Sequence, residues 1–223
     1  MQNILAILGK TGIMLKKRLI NEVKRFMSDS AEKQYLLYQE YLEKNDKHNA
    51  GLSLMVSALM GYLPAQKELG YKYLNGILFP KDYSYAMRWL NEAADQGDMD
   101  SVINLATMYM YGYGTKTNGP KAMELLQKAV EAEHPAAGRF LGSCYEKGIG
   151  TEKNAEKAVE WYLWSAERGD AGAAYLLGDA YENGNGVTAD RDKAAEWYEK
   201  AAAQEGEEAE MAKTALAKLK GNN

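Results

Sequence analysis

Apolar side chains recur along this chain at helical spacing, and the spacing itself recurs. Ala137, Leu141, Gly142 and Tyr145 fall at i, i+4, i+5 and i+8, one face of a helix. Ala158, Trp161, Tyr162, Ser165 and Ala166 follow with three- and four-residue steps, a second apolar stripe. Between the stripes stand Gly148, Gly150 and Asn154. The stretch predicts two amphipathic helices, here called A and B, joined by a turn.

The pair repeats every 36 residues. Leu69, Leu105, Leu141 and Leu177 mark the period, each followed by a small residue at Gly70, Ala106, Gly142 and Gly178. Tyr73, Tyr109, Tyr145 and Tyr181 come next, then Gly76, Gly112, Gly148 and Gly184, with Gly114, Gly150 and Gly186 completing a Gly-x-Gly in three copies. Asp82, Asn118, Asn154 and Asp190 stand where helix B needs an N-cap, a side-chain oxygen for its orphan amides. After them come the columns Ala86, Ala122, Ala158, Ala194; Trp89, Leu125, Trp161, Trp197; and Ala93, Ala129, Ser165, Ala201. Gly97 and Gly169 suit the left-handed residue after helix B, and in the second copy Glu133-His134-Pro135 replaces the glycine, with the proline expected to stop the helix. A helical pair cannot bury its stripe alone, so the copies are expected to stack. The small residues let paired helices approach while a neighbouring Trp or Tyr fills the adjoining space.

The pattern Ala-x-x-x-Leu-Gly-x-x-Tyr-x-x-Gly-x-Gly, then Asp/Asn-x-x-Lys-Ala-x-x-Trp-Tyr-x-x-Ala-Ala-x-x-Gly, resembles the Sel1-like repeat, a relative of the tetratricopeptide repeat. Ala173 to Ala202 matches almost throughout, and the likeness covers roughly residues 50–206. The first copy departs at Ile77-Leu78-Phe79-Pro80; the second has Leu125-Leu126 for Trp-Tyr and Lys-Thr-Asn-Gly-Pro in its loop. The resemblance implies an all-α fold, a right-handed α-solenoid of stacked helix-turn-helix repeats. It also implies a non-catalytic protein–protein interaction module, an adaptor or scaffold of bacterial style, binding another protein or peptide segment on the concave face that the A helices line.

The ends differ from the array. Residues 1–28 form a basic amphipathic segment, 29–61 a degenerate repeat with Ala50–Gly61 in register as its B helix, 62–206 the four repeats, and 207–223 a C-terminal capping helix and tail. Residues 1–27 carry Lys10, Lys16, Lys17, Arg18, Lys24 and Arg25 against Glu22 alone, although the whole chain has a net charge of −4. Ile13, Leu15, Leu19, Ile20, Val23, Phe26 and Met27 predict a helix with this charge opposite. It reads either as a cap on the first hairpin or as an arm touching a partner or a membrane surface through residues 4–27. No run approaches the ~20 apolar residues of a transmembrane span. The apolar run Ile4–Leu8 is short for a secretory signal and precedes its charge, so a cytoplasmic location is expected.

Candidate chemistry is thin. Gly9-Lys10-Thr11 lacks the glycine that a phosphate-binding Walker loop places five residues earlier; Ile4 stands there. The Gly-x-Gly recurs after helices, where such a loop follows a strand once. Cys144 is the only cysteine and His48 and His134 the only histidines, too few for a zinc site or a paired nucleophile and base. Secreted Sel1-like proteins with paired cysteines in each repeat lack a counterpart here. No enzyme, cofactor, metal or nucleic acid is therefore expected; a hydrolase using carboxylates of the groove and a membrane-recruited accessory protein are the alternatives. By the tetratricopeptide likeness, the groove positions are Pro64, Lys67, Tyr71 and Leu74; Asp100, Ile103, Thr107 and Met110 with Tyr111; Ala136, Arg139, Ser143 and Glu146; and Gly172, Tyr175, Asp179 and Glu182. Tyr71, Leu74, Ile103, Met110 and Tyr111 are expected to expose an apolar patch, while the far end is acidic.

Overall fold

The computed structural model describes residues 30–221. The N-terminal segment 1–28, with its two readings, and the Gly9-Lys10-Thr11 motif lie outside the described residues, as does the end of the tail. Among the described residues every regular element is a helix. They divide into two compact units, one ending at Gln96 and the other beginning at Gly97.

The first unit holds α1 (30–43), α2 (Lys47–Leu59), α3 (Leu63–Asn75) and α4 (Tyr83–Asp95). Its core gathers Tyr38, Ala50, Leu54, Ala58, Ala65, Leu69 and Trp89. Ser57, in the Ala/Ser column of helix B, donates its hydroxyl to the Ala31 carbonyl at 2.6 Å and joins α2 to α1. The departure at Ile77–Pro80 now has a reason. Leu78 takes the place of the second loop glycine with φ +70°, a conformation costing an L-residue about 1–2 kcal/mol. Leu78 and Phe79 pack on the core, and Phe79 stacks on Tyr73 with centroids 4.8 Å apart.

The second unit holds α5 (Met99–Tyr111), α6 (Gly119–Glu131), α7 (Pro135–Lys147), α8 (Ala155–Ala166), α9 (Ala171–Asn183), α10 (Arg191–Ala202) and α11 (Glu207–Gly221). Each helix packs on the next in a zigzag, and α5, α7, α9 and α11 also touch in succession, so the A helices form one row. The caps stand where the sequence places them. Asp82, Asn118, Asn154 and Asp190 accept amides of the first turn of α4, α6, α8 and α10. Each of the four also donates its own amide to the carbonyl of the Tyr-column residue nine positions earlier, at 2.8 to 3.0 Å. The end of the second copy needs correction. Glu133 itself adopts φ +54°, and Pro135 opens α7 at its first position, where its missing amide costs nothing.

What sets the spacing of paired helices is the small-residue column. A Cβ on Gly142 would sit 2.3 Å from Tyr162 Cε1, and one on Gly178 would sit 2.5 Å from Tyr198. At Gly70 the same space is taken by Leu90, 2.8 Å away. The occupant is thus the residue after the Trp column, Leu90, Leu126, Tyr162 or Tyr198, each at most 2% exposed. Gly150 has a different task. Its Cβ would lie 2.3 Å from the Gly119 carbonyl carbon, and that of Gly186 2.3 Å from the Ala155 carbonyl oxygen. The second loop glycine therefore seats one repeat's turn against the first turn of the preceding repeat's B helix.

Gly142→Ala is expected to destabilise the full chain by about 1–3 kcal/mol through overpacking. Adding Tyr162→Leu, which recreates the Ala106 and Leu126 pair of the second repeat, is expected to recover most of the loss, read by urea denaturation of both variants.

Candidate functional site

The row of A helices in the second unit carries most of the groove positions, and the structure treats them unequally. Ile103 and Met110 are buried, 6% and 4% exposed, which corrects the expectation that they face solvent. Within the second unit α6 packs across α5 and α7 runs beside it, so aliphatic residues on the faces they cover lose contact with water. Thr107 donates its hydroxyl to the Ile103 carbonyl at 3.0 Å. Asp100 lies 3.0 Å from His134 Nε2, linking α5 to the start of α7. Arg139 Nε lies 2.8 Å from Asp170 Oδ1, the carboxylate that caps α9, and its side chain fills the space beside Gly172. Asp100 and Arg139 thus tie repeats together.

Tyr111 does remain at the surface, 43% exposed, with its ring tilted on Tyr113 and Lys147 Nζ 3.3 Å from its hydroxyl. In the first unit Tyr71 is 46% exposed on α3, with Lys67 and Leu74 half-buried on the same helix.

The remaining positions converge on an acidic face built by α7, α9 and α11. Two tyrosines from the B helices reach it. The Tyr162 ring crosses α7 at Gly142, and its hydroxyl stands 3.3 Å from Glu146 Oε2 and 3.4 Å from Ser143 Oγ. One period on, the Tyr198 ring crosses α9 at Gly178 and donates to Glu182 Oε2 at 2.7 Å. Tyr175 leans on Tyr198 with centroids 5.7 Å apart. Asp179 lines two adjoining clefts. One, of about 250 Å³, is bordered by Glu146, Tyr162 and Leu176; the other, of about 500 Å³, by Tyr175, Glu182, Tyr198 and the α11 residues Glu207, Glu210, Met211, Thr214 and Lys218.

The electrostatics follow from this crowding. Burial, then the neighbouring Glu182, raises the Asp179 carboxyl above its ordinary range, although Asn183 donates to it. Burial also raises Tyr162, Tyr175 and Tyr198, with nearby carboxylates adding to the shift. These phenols stay protonated, and those of Tyr162 and Tyr198 donate to Glu146 and Glu182. The helix-B stripe read from sequence puts Tyr162 in the core; the signal of a second role for it and for Tyr198 is that Tyr occupies this column in the last two copies alone, with Glu sixteen residues before each. The contribution of α11 to a cleft wall was missed altogether.

Among the described residues no group of His, Cys, Asp and Glu could hold a metal ion, and no helix is long and apolar enough to cross a membrane. Cys144 is fully buried on α7, and burial pushes its thiol up to about 11.

A Sel1 repeat profile matches residues 63–98, 100–134, 135–170 and 171–205. The crystal structure of a protective antigen of uropathogenic Escherichia coli displaying an SLR fold is similar at a TM-score of 0.67 and 31% identity, over 81% of this chain and 40% of that one. A Sel1 repeat protein from Oxalobacter formigenes is similar at a TM-score of 0.61 and 32% identity, over 82% of this chain and 74% of that one. Protein SHC1 of Saccharomyces cerevisiae is 32% identical over 128 residues, 57% of this chain but 23% of the yeast protein, so the chain spans under a quarter of that relative.

Two outcomes follow from the site's electrostatics. With its pKa raised, ionised Asp179 weakens the folded state at neutral pH, and the penalty disappears as pH falls through the raised value to the ordinary one. Asp179→Asn is therefore expected to raise the Tm at pH 7, with the gain vanishing near pH 3, read by thermal melts across that range. Cys144 in the native full chain is expected to react with a thiol reagent at pH 8 at least ~100-fold more slowly than in denaturant, because so little thiolate forms.

Proposed function

From the premise that the chain belongs to the Sel1 repeat family, whose members generally serve as protein–protein interaction scaffolds, we propose that it is a non-catalytic module. Its partner is a protein or peptide segment carrying a basic stretch, held on the A-helix face of residues 97–221. The observation that carries this reading is the raised Asp179 carboxyl beside Glu182, in clefts walled by tyrosine rings. Crowded carboxylates at a surface lower the stability of the free protein, and a Lys or Arg side chain laid between them relieves the repulsion. Tyr198 and Tyr162 fix Glu182 and Glu146 in place, so that the acceptors are set before the partner arrives. The face offers an apolar contact as well, in the exposed ring of Tyr111. Tyr71 provides a similar ring on the first unit.

The test is a peptide array, graded in Lys and Arg content, probed with the full chain. Affinity is expected to rise with basic content and to fall as salt screens it. Asp179→Asn with Glu146→Gln should bind the best basic peptide at least ~10-fold more weakly, a loss of about 1.4 kcal/mol. Because Glu146→Gln also alters the partner of Tyr162, a thermal melt of the double variant distinguishes weakened binding from unfolding. Equal binding by the variant, or no preference for basic peptides, would refute the reading.

A further inference from the structure

Four asparagines of this chain stand directly before a glycine: Asn75, Asn118, Asn183 and Asn185. Such a pair carries its own chemistry. With no Cβ on the glycine, its backbone nitrogen can reach the asparagine Cγ and expel the side-chain amide. Attack needs a nitrogen that has given up its proton, and a proton held in a hydrogen bond is given up slowly.

The structure treats the four pairs unequally. Asn75 and Asn183 close α3 and α9, and the glycine after each donates its amide to the carbonyl of Lys72 or Ala180. Their side chains are tied back as well. Asn75 Nδ2 donates to the Tyr71 carbonyl and Asn183 Nδ2 to the Asp179 carbonyl, both at 3.0 Å. Asn118 caps α6, its Oδ1 accepting the Lys121 amide at 3.0 Å, a bond that ring closure would break. Asn185 has none of these restraints. It lies exposed in the turn between α9 and α10. Among the described residues neither its carboxamide nor the Gly186 amide is held by a hydrogen bond. Its position in the three earlier copies is filled by Ile77, Tyr113 and Ile149, which cannot react in this way.

We propose that Asn185 is a site of self-modification, deamidated without an enzyme through attack by Gly186. The Gly186 nitrogen loses its proton and bonds to Cγ of Asn185. The Cγ–Nδ2 bond breaks, a proton passes through solvent to the departing nitrogen, and ammonia leaves. Water then opens the cyclic imide at either carbonyl, giving aspartate or isoaspartate. The net change exchanges a neutral carboxamide for a carboxylate. Its place gives the change a consequence, because Asn185 borders the cleft of about 250 Å³ that Glu146, Tyr162 and Asp179 also line. A new carboxylate thus joins those already crowded there. On the reading of this face as the seat of a basic segment, on which the consequence rests, the aged chain grips its partner more tightly than the fresh one.

Incubating the full chain at pH 8, then mapping its peptides by electron-transfer fragmentation, tests the site without any partner. Conversion at Asn185 is expected to run at least ~10-fold faster than at Asn75, Asn118 and Asn183, which react only when their turns open. In denaturing urea the gap between Asn185 and Asn183 is expected to close. Conversion at Asn185 no faster than at the other three in the native chain overturns the proposal, and a gap that persists in urea overturns its structural origin. The consequence is read on the best basic peptide, with Asn185→Asp as the product and Asn185→Ser as a neutral residue that cannot react. Thermal melts check that both fold. Asn185→Asp is expected to bind roughly 3-fold more tightly at low salt. Equal binding by the two, with the Asp179→Asn and Glu146→Gln double variant still weakened, overturns the consequence alone. Failure of the unaltered chain to bind any basic peptide overturns it together with the partner reading, whatever the deamidation map shows.

Discussion

The whole arrangement depends on one contact, a large B-helix side chain lying where an A-helix Cβ would be. Tyr162 over Gly142 and Tyr198 over Gly178 bring paired helices within reach of each other's backbones. Helices normally meet side chain to side chain, 8–10 Å between axes, and removing a Cβ at the crossing allows the closer approach. The carbonyl of Ala158 would stand 2.9 Å from a Cβ on Gly142, so the space is bounded by backbone as well as by the ring. A packing solution of this kind tolerates little change in volume on either side.

The same contact shapes the acidic face. A leucine in that position stops at the core, as Leu90 and Leu126 do. A tyrosine is longer, and its hydroxyl emerges on the far side of the A helix to meet Glu146 or Glu182. Core and surface are thereby coupled through single side chains. The carboxylates of the last two repeats are fixed by residues whose rings hold the hairpins together, and the acidic face is as rigid as the stack beneath it.

Much of this could be read from the chain before its coordinates. The caps Asp82, Asn118, Asn154 and Asp190 were legible because a cap is a local event, one side chain meeting an amide two or three residues on. Period, helix pairing and glycine turns were legible for the same reason, multiplied by four copies. What escaped depends on distant neighbours. The burial of Ile103 and Met110 is decided by flank packing, and the pairing of Arg139 with Asp170 spans two helices. That α11 walls a cleft depends on the angle at which it leaves α10, which no polarity pattern encodes. Glu133 shows a limit of another kind: a favoured residue type is a preference, and an αL site can be filled by a side chain that bears the strain.

The backbone seam between neighbouring turns constrains how such a chain can change its length. Gly150 lies on Gly119 and Pro120, and Gly186 on Ala155 and Glu156, each loop using the opening of the B helix before it as its floor. The floor lies in the repeat before the glycine that rests on it and recurs with the same period, so a tandem duplication of a complete 36-residue block creates a new seam with both halves already matched. An indel of any other size shifts the glycine off its floor and sets a Cβ against a carbonyl. Genes for arrays of this design are therefore expected to grow and shrink by unequal recombination in whole modules, with point drift confined to the faces that no neighbouring loop touches.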